Sequence, residues 1–73
     1  GHDSVLKSYC TLGPRVNIGG STTIGNNVNI GQGSLIQQGL TLGDQTTIFM
    51  GSVLIRNTKE KSTYGSEFSR RIL

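Results

Sequence analysis

The chain has 73 residues, of which 33% are hydrophobic, 5% aromatic and eleven Gly, with no Trp. A lone globule of this size buries only ~60% of its unfolded surface, which excludes a large self-sufficient core. With 15% charged residues it is no disordered polyelectrolyte, and no apolar run approaches the ~20 residues of a membrane span.

The formal charge of +3 sits entirely at one end. Up to residue 55, Lys7 and Arg15 balance Asp3 and Asp44, whereas Arg56, Lys59, Lys61, Arg70 and Arg71 then outweigh Glu60 and Glu67 by three. Such a tail meets an anion or is simply solvated. One Cys builds neither a disulfide framework nor a Cys-rich metal site, and with no signal peptide it suits a reducing cytoplasm. The chain opens on Gly1 and is read as a piece of something longer.

Taken in chain order, Leu6, Leu12, Ile18, Ile24, Ile30, Ile36, Leu42, Ile48 and Leu54 place Leu or Ile at every sixth position. A random order produces that run with a chance of roughly 10⁻⁷ per frame, so the repeat is real. Two residues before each stands Ser4, Cys10, Val16, Thr22, Val28, Ser34, Leu40, Thr46 or Ser52, mostly small side chains, and Gly follows the aliphatic at 13, 19, 25, 31 and 43. Neither a 3.6-residue helical period nor a plain hairpin has a period of six. Short strands alternating with tight corners do. The corners need residues that tolerate positive φ, a need assigned here to Gly19, to Gly25 with Asn26 and Asn27, and to Gly43 with Asp44. Cys10 falls in the small inward slot and reads as a core thiol, not a nucleophile.

Leu35, Phe49, Met50 and Val53 interrupt otherwise polar outer faces and are candidates for an interface. The Thr22-Thr23 and Thr46-Thr47 pairs are too scattered for the flat threonine face of an ice binder. After Leu54 the aliphatic repeat stops. The stretch 57–62 is polar, Thr63 to Gly65 reads as a short extended segment, and Glu67 to Leu73 as a final turn of helix.

The six-residue pattern resembles the hexapeptide repeat of the left-handed parallel β-helix. That resemblance implies an all-β fold of about three triangular coils over residues 1–58, with residues 59–73 as an irregular or helical tail. Stacked aliphatics would fill the prism. The opening stretch GHDSVLKSYCTLGPRVNIGGSTTIG is similar to the C-terminal β-helix of the NeuD/PglD sugar acyltransferases, where a His followed by an acidic residue precedes the repeats by this spacing. The similarity spans residues 2 to 58.

What it implies is direct acetyl transfer from acetyl-CoA to an amine or hydroxyl of a sugar, such as an amino sugar, a nucleotide-linked sugar or a sialic acid. His2 would act as general base, Asp3 would orient it, and the Gly20 amide would meet the developing oxyanion. A sugar-binding domain, typical of the family, is absent from these residues. The family's G-x-P-A-K loop, which contacts the nucleotide of CoA, is replaced by Gly65-Ser66-Glu67-Phe68-Ser69-Arg70, so Arg70 and Arg71 are expected to take the phosphates. The resemblance also implies a homotrimer, and neither a nucleic-acid partner nor a membrane span is expected. The γ-class carbonic anhydrases share the fold but need three His ligands, and a single His does not supply them, so no metal is expected. The alternative is a non-catalytic β-helical trimerisation or structural module.

Overall fold

The computed structural model describes residues 4–65, in which ten two-residue strands follow one another without a helix. They are β1 (Val5–Leu6), β2 (Thr11–Leu12), β3 (Asn17–Ile18), β4 (Thr23–Ile24), β5 (Asn29–Ile30), β6 (Leu35–Ile36), β7 (Thr41–Leu42), β8 (Thr47–Ile48), β9 (Val53–Leu54) and β10 (Thr63–Tyr64). Every third strand pairs in parallel, giving three faces: β1-β4-β7, β2-β5-β8-β10 and β3-β6-β9. The register is that of the repeat, with Leu6 over Ile24 over Leu42, Leu12 over Ile30 over Ile48, and Ile18 over Ile36 over Leu54. The chain is therefore a β-solenoid of three stacked coils, and its hexapeptide repeats fit a left-handed β-helix.

The aliphatic of each strand points into the prism because strand residues alternate sides. Ile24, Ile30, Ile36, Leu42, Ile48 and Leu54 are buried, together with Val28 from the small slot. Four further slots are filled by Thr22, Ser34, Thr46 and Ser52, also buried, whose hydroxyls donate to main-chain carbonyls. Examples are Thr22 Oγ1 to Gly19 O at 2.8 Å and Thr46 Oγ1 to Gly43 O at 2.7 Å. These bonds remove the penalty that a buried hydroxyl otherwise carries. Cys10 is only half-buried, packed against the core with Sγ 3.0 Å from the Gly25 carbonyl. Leu6 and Leu12 keep their columns but are exposed, since no coil lies beneath them among the described residues.

The corners correct the expectation about glycine. Positive φ falls three residues after each aliphatic from Leu6 to Ile48, at Tyr9, Arg15, Ser21, Asn27, Gly33, Gly39, Gln45 and Gly51, and again at Lys61, three after Thr58. Of the residues assigned to that task, only Asn27 performs it. Gly19, Gly25 and Gly43 have ordinary φ; they are small for another reason, the closeness of the next coil. A Cβ on Gly13 would lie 2.7 Å from the Gln32 nitrogen, and Gly19 and Gly31 face the backbones of Gln38 and Met50 in the same way. Gly13→Ala should therefore force the coils apart and cost about 1–3 kcal/mol, read as a lowered denaturation midpoint.

The ladder runs on past Leu54. Thr58 bridges Leu42 and Tyr64 pairs with Ile48, so they stand where the next two aliphatics of the column would. Only four residues separate Leu54 from Thr58, against six elsewhere. The shortened corner omits a main-chain acceptor for the Thr41 amide, and Asn57 Oδ1 replaces it at 2.8 Å. The extended segment expected at Thr63 to Gly65 is β10, whereas the expected helical turn lies outside the described residues.

Candidate functional site

A triangular prism has three edges, and the residues two and three places after each aliphatic form them. Along the edge between the first and second faces stand Ser8, Asn26, Asp44 and Glu60. Here two main-chain amides are occupied by side chains: Asn26 Oδ1 accepts from the Ser8 amide at 3.0 Å, and Asp44 Oδ1 from the Asn26 amide at 2.7 Å. Both acidic residues among those described lie on this edge.

Along the edge between the second and third faces stand Pro14, Gln32 and Met50, of which Pro14 has no amide hydrogen to offer. Beside it runs a shallow groove lined by Thr11, Asn29, Thr47, Gln32, Met50 and Phe49, none of them charged.

Gly20 and Gln38 stand on the edge between the third face and the first, one coil apart. The two coils are tied there by the Gly39 amide donating to the Gly20 carbonyl at 2.9 Å. Neither the Gly20 nor the Gln38 amide has an acceptor among the described residues. Gly20 is half-buried and carries no Cβ, so a ligand oxygen can approach its amide closely. An uncommitted amide that is held rigidly by a coil is the kind of donor that stabilises charge developing on a carbonyl oxygen.

Of the residues expected to form the site, Gly20 alone is among those described. His2, Asp3, Arg70 and Arg71 lie outside them. In sequence, His2, Gly20, Gln38 and Arg56 are spaced by eighteen, which is three hexapeptides or one full turn. That spacing, legible in the sequence, adds Gln38 to the candidates and places Arg56, counted above in the basic tail, in line with it.

The candidate interface residues Leu35, Phe49, Met50 and Val53 are all exposed, as is Ile55 at 62%. No group of three His, Cys, Asp or Glu positioned for a metal occurs among the described residues. No helix among them is long and apolar enough to cross a membrane.

Comparison with known proteins gives one family. Residues 3–38 match the model described as bacterial transferase hexapeptide (six repeats). No curated protein and no solved structure matches the chain.

Proposed function

From a chain whose repeat and stacked coils fit the hexapeptide-repeat superfamily, and whose matched family is one of bacterial transferases, we propose an acetyl-CoA-dependent acetyltransferase acting on an amine or hydroxyl of a sugar. The observation that carries this reading is the uncommitted Gly20 amide, one full turn along the sequence from a His-Asp pair. His2 takes the proton of the acceptor as its nitrogen or oxygen bonds to the thioester carbonyl carbon, and Asp3 holds the imidazole in the correct tautomer. The Gly20 amide donates to the carbonyl oxygen while it carries negative charge. As the carbon–sulfur bond breaks, His2 returns the proton to the departing thiolate. The donor set fits such a thioester: a bare amide for its carbonyl and, at the C-terminal end, a surplus of Arg and Lys for its phosphates, Arg70 and Arg71 among them.

The test is release of free CoA thiol from acetyl-CoA against a panel of amino sugars, nucleotide-linked sugars and sialic acids. Turnover with one class of acceptor supports the reading; no turnover with any, in a protein that carries its full sequence, favours the structural module. A homotrimer is part of the proposal, since three coils are few to stand alone and Leu35, Phe49, Met50, Val53 and Ile55 are large apolar side chains left exposed. Light scattering at micromolar concentration should give three times the chain mass, and a monomer there would count against it.

A further inference from the structure

The C-terminal end of the prism is closed on two faces and open on the third. In the lower coils the amides on either side of an aliphatic donate to the coil above, as Leu35 does to the Ser52 carbonyl at 2.8 Å and Gln37 to that of Leu54 at 3.0 Å. In the last full coil, Thr41 donates to Asn57 Oδ1, Gly43 to the Thr58 carbonyl, Thr47 to that of Ser62 and Phe49 to that of Tyr64. On β9 the pattern lapses. The Val53 and Ile55 amides have no acceptor among the described residues. Unpaired amides along a strand edge are a template for another strand.

The core beneath that edge is nevertheless covered. Leu54 heads its column with no strand above it among the described residues, yet it is only 5% exposed, whereas Leu6 and Leu12, which end their columns at the other end, are 45% and 38% exposed. The Tyr64 hydroxyl is engaged elsewhere, accepting from the Lys59 amide at 3.3 Å beside the edge opposite the third face.

The sequence after Tyr64 fits this gap. Successive elements visit the faces in turn, so after β10 on the second face the chain next meets the third, above β9. A full six-residue step from Tyr64 would bury the charge of Arg70, whereas the four-residue step already taken from Leu54 to Thr58 brings in Phe68. The two stretches then correspond place for place. Glu67 stands where Asn57 supplies a side-chain oxygen, and Phe68 where Thr58 supplies a carbonyl. Ser66 repeats the small residue that Ser34 and Ser52 place two before the aliphatic of this face. Arg70 and Arg71 fall on a corner, a position that already accommodates Arg15 and Lys61.

We infer that residues 66–68 dock on the free edge of β9 as a terminal strap. The Glu67 carboxylate accepts from the Val53 amide, the Phe68 carbonyl accepts from the Ile55 amide, and the Phe68 ring covers Leu54. The strap closes an edge that would otherwise pair with a second chain. Neither the strap nor its test depends on acetyl transfer.

Amide hydrogen exchange, followed residue by residue by NMR on the full chain, tests this placement. Val53 and Ile55 should exchange as slowly as Thr47 and Phe49, and the Phe68 ring should show nuclear Overhauser contacts to the Leu54 methyls. Phe68→Ala should speed exchange at Val53 and Ile55 about ten-fold or more and leave Thr47 and Phe49 little changed. Phe68→Leu should restore much of the protection. Glu67→Ala should speed exchange at Val53 more than at Ile55.

Free exchange of Val53 and Ile55 in the wild type would overturn the strap. So would protection that survives Phe68→Ala and grows with protein concentration, which would put a second copy of the chain on this edge.

Discussion

Replacing His2 by Ala in the full-length protein should lower acetyl transfer by ~10²-fold or more, the usual loss when a general base is removed. In barrier terms that is about 2.7 kcal/mol, two decades at 1.36 kcal/mol each. The loss should appear in kcat, with the acetyl-CoA affinity retained, because His2 is asked to act on the acceptor's proton and not to hold the thioester. Asp3→Asn keeps the shape but not the charge that steadies a protonated imidazole, and should reduce kcat with KM little changed. Thiol release in the presence of the preferred sugar measures both. Unchanged turnover in His2→Ala would point to the structural module and leave the Gly20 amide without a catalytic partner.

Ile30→Ala should destabilise the fold by about 2–5 kcal/mol. Ile30 is buried on β5, the strand that pairs with β2 below and β8 above, so its side chain is enclosed by Leu12 and Ile48 of the same column. Neither coil can collapse into the void, because their spacing is held by main-chain bonds such as Asn29 N to Thr46 O at 2.9 Å and Gly31 N to Ile48 O at 2.8 Å. For a domain of this length, total stability is of order 4–11 kcal/mol, so one truncation removes a large share. Asn29→Ala, one residue away on the exposed side, should change stability by less than about 0.5 kcal/mol. Urea denaturation of the two variants separates them, and similar midpoints would contradict the inward and outward assignment of the strand.

The six-residue spacing determined most of the fold. Nine aliphatics in one frame admit only a structure in which every sixth residue shares an interior, and the stacked coils hold them in three columns with the expected register. The buried hydroxyls of Thr22, Ser34, Thr46 and Ser52 also follow from that frame, since the slot beside a stacked aliphatic is narrow. The roles expected of His2, Asp3, Gly20, Arg70 and Arg71 rest on motif and likeness alone, and of these five residues the described ones contain only Gly20.

Three matters were left to the tertiary structure. The first is why the glycines are where they are. Composition points to positive φ, but that conformation falls on Tyr9, Arg15, Ser21 and Gln45 as readily as on Gly33, because the rigid coil overrides a local preference of only 1–2 kcal/mol. Gly13, Gly19 and Gly31 are instead demanded by the neighbouring backbone, a contact eighteen or more residues away that no local pattern records. The second is the continuation past Leu54, where Thr58 and Tyr64 occupy the columns after a two-residue shortening that shifts the frame and hides the repeat. The third is which main-chain amides are occupied. All three edges follow the same repeat, and two of them leave the Gly20, Gln32, Gln38 and Met50 amides without acceptors among the described residues, but on the first edge the side chains of Asn26 and Asp44, reaching down one coil, occupy the Ser8 and Asn26 amides. Such bonds join residues eighteen apart in sequence, and they form only once the coils are stacked.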